Sequence, residues 1–526
     1  MPVPIIILTA AALGLRLVLG GYLTIKPSLF VGTVSAMAVC FFLFCLKSGV
    51  RDRVAARMLA VAVTMPLLAW SLSSLGLLLF IMCFWVPLAA GRFRMIVPVY
   101  LFSLLLLPGL DDILFIGPLK LFEFGVHDAL ALGAAAAIFL SPAKARHGAG
   151  PDVAALSVVM LVALALARGT SVSNHIRALI EVSLDLALPY YIVSRGLRSS
   201  DDLRAAMLWL AAGGIVVGAI LVFEVWKAWP VYNDLYRHYE LPTLLLVKLR
   251  AGLIRAGGPF VEPTSVAMVL AVCALALYLA RDFMRTRGLY SLVMAAMVIG
   301  LIAPQSRGAW IGLSIAIAAA DLLRRRYTQL GQKIFVIGGI ASCLFLAAQF
   351  SPYLSETLGL SGASTESSDY RRLLLDRGLE EFSKRPLQGY SVPELGYHLR
   401  DLVQGEGIID FVNAYIWIML IAGIGGLIIF TGAFVYFLGR IFRTGRFAGP
   451  QKRDVEAGVF IFAALLMLME MLFFTSFGTR PAIYLFALFG FAAAYLRLQR
   501  KPEAAPLDPQ VKSAPELLVL PPTPAR

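Results

Sequence analysis

The amino-acid sequence predicts an all-α protein: a polytopic bundle of about 14–16 transmembrane helices, with a large extracytoplasmic loop containing an amphipathic helix. Three observations predict this fold. Apolar residues make up 59% of the 526 residues and charged residues 15%, with a mean hydropathy of +0.81, whereas soluble proteins have about 45–50% and ~25%. The apolar residues fall in long runs, and basic clusters separate these runs. This composition excludes a water-soluble enzyme, a disordered protein and a disulfide-stapled secreted domain.

The apolar runs are assigned as spans because about 20 apolar residues cross the ~30 Å hydrocarbon core of a bilayer, and fewer suffice inside a bundle. We divide the run over residues 58–90 into two short helices. This division places every basic cluster on one face, which the positive-inside rule makes cytoplasmic together with both termini. The assigned spans are 4–24, 28–46, 58–72, 74–90, 95–108, 125–141, 152–168, 177–194, 205–228, 260–280, 289–304, 308–323, 332–350, 409–438, 455–474 and 481–497.

The net charge of +14 arises from 46 basic and 32 acidic residues. The basic residues form no face with interleaved aromatic residues, so nucleic acid is not expected as a partner. The first run lacks a small-residue cleavage site, which predicts a retained helix rather than a signal peptide. We divide the chain into N-terminal transmembrane helices (1–176), a transmembrane core (177–498) and a Pro- and Ala-rich tail (499–526) that is expected to be disordered.

The sequence predicts no metal site and no cofactor. The five cysteines lie inside apolar runs and the five histidines are scattered, so neither set has metal-ligand spacing. Walker, dinucleotide-binding and HExxH motifs do not occur, which argues against ATP-driven transport and zinc proteolysis.

Two outward connections are long, at roughly 229–259 and 351–408. Within the second, the segment Tyr370–Lys384 carries Leu375, Leu379 and Phe382 at helical spacing, which predicts an amphipathic helix over the membrane face. Pro386 and Gly389 follow and are expected to end this helix. Long ordered loops commonly carry function, so the functional site is expected on this extracytoplasmic face.

Arginines converge on the same face. Arg255 precedes a Gly-Gly-Pro turn, Arg307 lies in a short turn between two spans, and Arg371 and Arg372 open the amphipathic segment. Guanidinium groups bind phosphate oxygens bidentately, and the neighbouring glycines allow the backbone to approach a ligand. The alternative for each arginine is an interaction with lipid headgroups at the membrane surface.

Carboxylates could supply a general base. Glu262 ranks first among the outer-face carboxylates, because desolvation between two prolines at the membrane boundary would favour its protonation. Glu181, Asp185, Glu224 and Glu470 lie deeper, where an ionisable group is a functional hypothesis. For these residues we favour pairing within the helix, as between Arg177 and Glu181.

The chain resembles the O-antigen ligase and polymerase superfamily of bacterial membrane glycosyltransferases over about residues 177–497. The resemblance rests on Arg255-Ala-Gly-Gly-Pro-Phe-Val-Glu-Pro, on Ser306-Arg-Gly-Ala-Trp-Ile-Gly-Leu, on the loop from Arg371 to Pro386-Leu-Gln-Gly-Tyr, and on Asp410-Phe-Val-Asn-Ala-Tyr. It implies a GT-C-like helix bundle in the bacterial inner membrane, with an active site that faces the periplasm. The implied substrates are undecaprenyl-diphosphate-linked glycans, as donor and acceptor, in a metal-independent transfer.

The resemblance also implies roles for individual residues. Arg255 and Arg307 match diphosphate-contacting arginines, and Arg371 or Arg372 matches a loop arginine. Ligase members carry a histidine directly before Asn413, where this chain has Val412, so the role of that histidine passes to Glu262 or His398, or no base is needed. We therefore expect Arg255, Arg307 and Glu262 to be catalytic. Substrate binding is expected at Arg371, Arg372, Asn413, His398 and Arg480.

The leading functional hypothesis is a polymerase that joins lipid-linked repeat units into an exopolysaccharide or O-antigen. The first alternative is a ligase that moves finished glycan to lipid A or another acceptor. The second is a transporter or flippase for the lipid-linked sugar, which would require charged residues along a mid-membrane path. Membrane lipids and a chain-length regulator are the further candidate partners. The sequence leaves the sugars, the linkage and the oligomeric state open.

Overall fold

The computed structural model describes residues 3–141, 148–241, 248–250, 252–358, 360–361, 363–403, 409–445, 447 and 452–499. Helices dominate it, which confirms the predicted all-α fold. The helices are α1 (Val3–Cys45), α2 (Ser48–Ser71), α3 (Leu75–Ala90), α4 (Ile96–Ser103), α5 (Val126–Phe139), α6 (Ala149–Ala167), α7 (Val172–Val182), α8 (Leu188–Gly196), α9 (Ser200–Lys227), α10 (Asn233–His238), α11 (Pro263–Leu279), α12 (Arg287–Ile302), α13 (Arg307–Leu323), α14 (Tyr327–Ala348), α15 (Pro352–Leu358), α16 (Ala363–Lys384), α17 (Val392–His398), α18 (Ala414–Arg443), α19 (Lys452–Met471) and α20 (Thr479–Gln499).

Each apolar run that we assigned as a span overlaps a helix. The run over 58–90 is divided between α2 and α3, as predicted. Helix α1 changes direction at Gly21, whose φ of 70° lies in the left-handed region. The predicted tail begins at the last residue of α20, and residues 500–526 lie outside the described residues.

Within the described residues, eight helical segments are long and apolar enough to cross a membrane, or nine if α3 and the following bent segment count as one span. The expected number of about 14–16 spans also counted shorter apolar helices, among them α5, α11 and α12. Helix α5 has 14 residues and is about 21 Å long at ~1.5 Å per residue. Such a helix is shorter than the ~30 Å hydrocarbon core.

Contacts join three of the predicted basic clusters, those after α1, after α11 and at the start of α9. Leu46 forms a β-bridge with Met284, which joins the connection after α1 to the connection after α11. The Arg204 guanidinium lies 4.7 Å from the ring centre of Phe283, and this contact joins α9 to the same region. These three clusters therefore lie in one region of the bundle.

Two short antiparallel hairpins were not predicted. Strands β1 (Asp112–Ile116) and β2 (Leu119–Phe124) form one, and β3 (Leu249–Arg250) and β4 (Leu253–Ile254) form the other. Both lie in connections between apolar runs, where the hydropathy pattern carries no signal for a two- to six-residue strand.

The predicted pairing of Arg177 with Glu181 is wrong. Arg177 donates hydrogen bonds to the carbonyl oxygens of Leu121 and Lys120 in β2, and the Glu181 carboxylate accepts the N–H of Glu123. Both side chains of α7 therefore satisfy the backbone of the β1–β2 hairpin, which has no further strand beside it.

Candidate active site

The β3–β4 hairpin brings two arginines to the turn between α12 and α13. Arg250 Nη1 donates to the carbonyl oxygen of Gln305 at 2.7 Å, and Arg255 Nε donates to that of Pro304 at 3.2 Å. The hairpin places these arginines together because Arg255 follows β4, and its N–H donates to the Lys248 carbonyl beside β3. Two guanidinium groups are thus fixed through neutral acceptors on one turn.

The same turn positions Arg307 as the first residue of α13. Gln305 has a φ of 53°, a left-handed conformation that costs about 1–3 kcal/mol for a non-glycine residue. Arg307 Nη1 donates to the carbonyl oxygen of Leu358 at the end of α15, at 2.8 Å. The N-terminal end of α13 adds a partial positive charge at this position. The turn therefore concentrates positive charge rather than neutralising it.

Helix α16 supplies the fourth arginine of the group. The guanidinium of Arg371 lies 5.9 Å from the ring centre of Phe474, and its Nε is buried without a hydrogen-bond partner. The next residue, Arg372, is exposed, because consecutive residues of an α-helix point about 100° apart. The structure thus distinguishes the two arginines that the sequence could not.

We call Arg250, Arg255, Arg307 and Arg371 the arginine cluster. Burial lowers the pKa of Arg255 to about 10, and repulsion by the other three contributes. Burial also lowers the pKa of Arg250 and that of Arg371, with repulsion from Arg307 contributing to both. The contacts of Arg250 and Arg255 with the turn directly before Arg307 hold these three groups together, and the charge of Arg371 acts on Arg250 and Arg255. Glu262, Glu356 and Asp410 act in the opposite sense on individual members of the cluster.

The Gly-Gly-Pro turn after Arg255 is closely packed. A Cβ on Gly257 would lie 2.0 Å from the carbonyl oxygen of Val261, and Gly258 has a φ of 52°. Val261 itself has a φ of 65°, which is strained for a β-branched residue. The Glu224 carboxylate, 1% exposed at the end of α9, accepts the N–H of Gly258 at 3.0 Å. Glu224 therefore stabilises this turn through a hydrogen bond to its backbone. The sequence predicted a partner within α9, whereas the partner lies in the turn before α11.

Glu262 is the residue directly before α11. Its two carboxylate oxygens accept hydrogen bonds from the hydroxyls of Thr264 and Ser265, both at 2.6 Å. These bonds order the first turn of α11 and occupy both oxygens of the predicted base. Its charge acts on Arg255, so Glu262 lies beside the arginine cluster.

Asn413 and Arg480 also make contacts within the protein. The side-chain oxygen of Asn413 accepts the N–H groups of Tyr415 and Ile416, so Asn413 is the N-cap of α18. Arg480 donates to the carbonyl oxygen of Phe260 at 2.6 Å and to the hydroxyl of Tyr236 at 2.7 Å. Arg480 thereby ties α20 to the segment that carries Arg255 and Glu262.

His398 is separated from the arginine cluster. Its Nδ1 lies 3.4 Å from a carboxylate oxygen of Glu381, and its ring centre lies 4.8 Å from that of Tyr390. Glu381 and Arg371 are ten residues apart on α16, which is about 15 Å along the helix axis. The predicted amphipathic helix is present, but its packed face carries Leu374 rather than Leu375 and Leu379, which are exposed.

Sequence reasoning missed Arg250 and the role of Glu224. The signal for Arg250 was the Gly252 between Leu249-Arg250 and Leu253-Ile254, a hairpin pattern that places Arg250 on one strand and Arg255 directly after the other. For Glu224 the sequence held no signal, because its partner is the backbone of a turn more than 30 residues further along the chain. Among the described residues, no group of three or more His, Cys, Asp or Glu side chains is arranged to hold a metal ion.

Residues 292–431 match the family model described as O-antigen ligase. Over this stretch the chain is similar to the O-antigen ligase family. No curated protein matches the chain. The matched stretch contains Arg307, Arg371 and Asn413, whereas Arg250 and Arg255 lie before it. The arginine cluster is therefore assembled from residues within and outside the O-antigen ligase match.

Proposed function

We propose that this protein is a membrane glycosyltransferase that polymerises undecaprenyl-diphosphate-linked oligosaccharide repeat units into an exopolysaccharide or O-antigen. The reaction takes place on the periplasmic face of a bacterial inner membrane. Arg255, Arg307 and Glu262 belong to the catalytic machinery in this proposal. Arg371 binds the substrate together with the newly found Arg250. The O-antigen ligase match supports a lipid-linked glycan as the substrate class.

The arginine cluster is the observation that carries the proposal. Three of its members donate to neutral backbone carbonyl oxygens, and the Nε of Arg371 is buried without a hydrogen-bond partner among the described residues. Guanidinium groups held in this way favour an anion with several oxygens, since bidentate contacts to phosphate are strong. A diphosphate fits this requirement.

The chemistry follows from where negative charge develops. A hydroxyl oxygen of the acceptor glycan attacks the anomeric carbon of the donor, and the bond between that carbon and the diphosphate oxygen breaks. The departing diphosphate keeps the bonding electrons, so its negative charge increases as the bond breaks. Positive groups that are fixed beforehand stabilise this charge without reorganisation, and one such donor is worth about 10²–10³-fold in rate.

The test uses purified protein in liposomes with the lipid-linked repeat unit. The wild type is expected to produce a ladder of lengthened products, and Arg307→Ala is expected to abolish it. Arg400→Ala is the matched control, because Arg400 is an exposed arginine of the same loop region whose guanidinium lies over Tyr397. An unchanged ladder in Arg307→Ala would refute the site assignment. Movement of lipid across the bilayer without new glycosidic bonds would favour transport instead.

The second candidate is transfer of finished glycan to lipid A or another acceptor. The description of the matched family as O-antigen ligase favours it, whereas Val412, at the position where ligase members carry a histidine, favours polymerisation. The reducing end of the product distinguishes the two. Product that remains on polyprenyl diphosphate supports the polymerase, and product on a new acceptor supports the ligase.

The periplasmic orientation has its own test. A cysteine introduced at exposed Arg400 is expected to react with a membrane-impermeant maleimide added outside intact spheroplasts, in a background in which the natural cysteines are replaced. A cysteine at exposed Arg51, near the opposite end of the bundle, is expected to react only after permeabilisation. The reverse pattern would contradict the orientation.

A further inference from the structure

We propose that Asp111 is the general base that takes the proton from the acceptor hydroxyl. This inference rests on the proposed glycosyl transfer and adds to it a residue from the N-terminal part of the chain, outside the matched stretch 292–431. Asp111 is exposed and lies in the loop between α4 and β1. Four features of this loop support the assignment.

The loop is shaped around the Asp111 carboxylate. Leu110, directly before it, has a φ of 49°, a left-handed conformation that is strained for a leucine and that clusters at functional sites. A Cβ on Gly109 would lie 2.9 Å from an Asp111 carboxylate oxygen, and one on Gly125 would lie 2.2 Å from it. Any side chain at Gly125 would displace the carboxylate. The two glycines therefore provide the space that it occupies.

The loop is anchored on the first turn of α5. His127 Nε2 donates to the carbonyl oxygen of Leu107 at 3.0 Å, and the N–H of Val126 donates to that of Gly109. His127 is 6% exposed. These contacts bracket Asp111 on its N-terminal side, while β1 begins at Asp112 on the other. The position of Asp111 is thus fixed by a helix end and a strand rather than left to a free loop.

Asp111 is connected to the arginine cluster through Tyr236 and Arg480. The hydroxyl of Tyr236 accepts from Arg480 Nη2 at 2.7 Å and has a hydrogen bond with the backbone of Leu110. Arg480 in turn donates to the carbonyl oxygen of Phe260 in the segment between Arg255 and Glu262. One chain of hydrogen bonds therefore joins the backbone next to Asp111 to the segment between Arg255 and Glu262.

Several buried or partly buried groups interact electrostatically with Asp111 and Arg480. The charge of Asp111 influences Tyr236, His127, Asp128 and Asp185, and that of Arg480 influences Tyr236 and His127. In contrast, both oxygens of Glu262 accept hydroxyl groups of α11, and His398 lies beside Glu381. The Asp111 carboxylate is exposed and is therefore open to the hydroxyl of an incoming sugar.

The proposed step balances without a further reactant. The acceptor oxygen forms a bond with the anomeric carbon while its proton passes to an Asp111 carboxylate oxygen. The bond between the anomeric carbon and the diphosphate breaks, and the diphosphate leaves with the electron pair. Asp111 then releases the proton to water, and the next cycle can begin.

The test compares Asp111→Asn with Asp112→Asn in the full-length protein. Asp112 is the adjacent exposed carboxylate, and its side chain accepts the N–H of Ile113. Asp111→Asn is expected to lower kcat about 10²–10⁴-fold, the usual contribution of general-base catalysis, and to leave the dissociation constant of the lipid-linked donor unchanged. Asp112→Asn is expected to stay within about twofold of the wild type. The acidic limb of the wild-type pH–rate profile should be absent in Asp111→Asn.

Three outcomes would overturn the inference. Activity of Asp111→Asn close to that of the wild type would show that no proton passes to this residue. Loss of donor binding in Asp111→Asn would assign it a structural role, and an unchanged acidic limb would assign the ionisation to another group. A wild type that binds donor but forms no glycosidic bond with any acceptor would instead overturn the proposed function, and this inference with it.

Discussion

Arg250 and Arg255 donate hydrogen bonds to two consecutive carbonyl oxygens, those of Gln305 and Pro304. A hairpin of two short strands and a four-residue turn between two helices thereby hold each other in place. Because the acceptors are neutral, the positive charge of both arginines is kept while their orientation is fixed. This is the property that a binding site for a multivalent anion requires.

Arg250 should contribute to donor binding as strongly as Arg255, Arg307 and Arg371. Arg250→Ala removes one charged donor, and hydrogen bonds to charged groups are worth about 1.5–3 kcal/mol. We therefore expect the donor to bind roughly 10–100-fold more weakly, as measured by titration of labelled lipid-linked donor. Arg237→Ala, which removes an exposed arginine paired with Asp234, should leave binding unchanged. Equal affinities in the two variants would remove Arg250 from the site.

Substitutions of Arg371 and Arg372 should have different effects on donor binding. Arg371→Ala is expected to weaken donor binding about tenfold or more, because its buried Nε has no hydrogen-bond partner among the described residues and is available to an anion. Arg372→Ala is expected to have little effect, because that side chain is exposed. The measurement is KM for the donor in single variants. A larger effect of Arg372→Ala would mean that the exposed arginine contacts the diphosphate.

The turn that holds Arg255 should not tolerate a side chain. Gly257→Ala places a Cβ 2.0 Å from the Val261 carbonyl oxygen, and overpacking of this kind costs about 1–3 kcal/mol. We expect a lower Tm in detergent together with weaker donor binding. Gly288→Ala is the control, since nothing lies within 4 Å of its added Cβ in α12. A Gly257→Ala protein with wild-type Tm and affinity would show that the turn can move without affecting Arg255.

Asn413 should act through the end of α18 rather than through the substrate. Asn413→Ala removes the acceptor for the N–H groups of Tyr415 and Ile416 and should cost about 1 kcal/mol of stability. Asn413→Asp keeps a capping oxygen and should preserve Tm. Thermal unfolding and donor binding are measured side by side. Unchanged stability with weakened binding in both variants would instead assign Asn413 to the substrate.

Transfer should persist in the presence of a chelator. The arginine cluster supplies fixed positive charge where metal-dependent glycosyl transfer uses a divalent cation. We expect the rate with lipid-linked repeat unit to change by less than about twofold in excess EDTA, and the loss in Arg307→Ala to remain unrestored by added Mg²⁺ or Mn²⁺. A rate that falls with EDTA and recovers with one cation would contradict a transfer driven by arginines alone.

The sequence by itself determined the helical bundle, because hydropathy and charge act locally. Residues 58–90 illustrate this, since the division into α2 and α3 followed from the placement of basic clusters alone. Arg255 and Arg307 were likewise found from their positions at the ends of apolar runs, and Arg371 was found from its position at the start of the amphipathic segment. Such features depend on residues that are neighbours in the sequence. The periodicity of apolar residues and the local composition are therefore enough to predict them.

The tertiary structure decided which of these residues meet. Arg250 joins Arg255 through a hairpin too short for a hydropathy signal, and Arg371 differs from Arg372 only in the helix face that it occupies. Arg480 and Tyr236 connect Asp111 to the site, although the chain between them covers more than 200 residues. Contacts of this range depend on how whole helices pack, and no local pattern in the sequence encodes them.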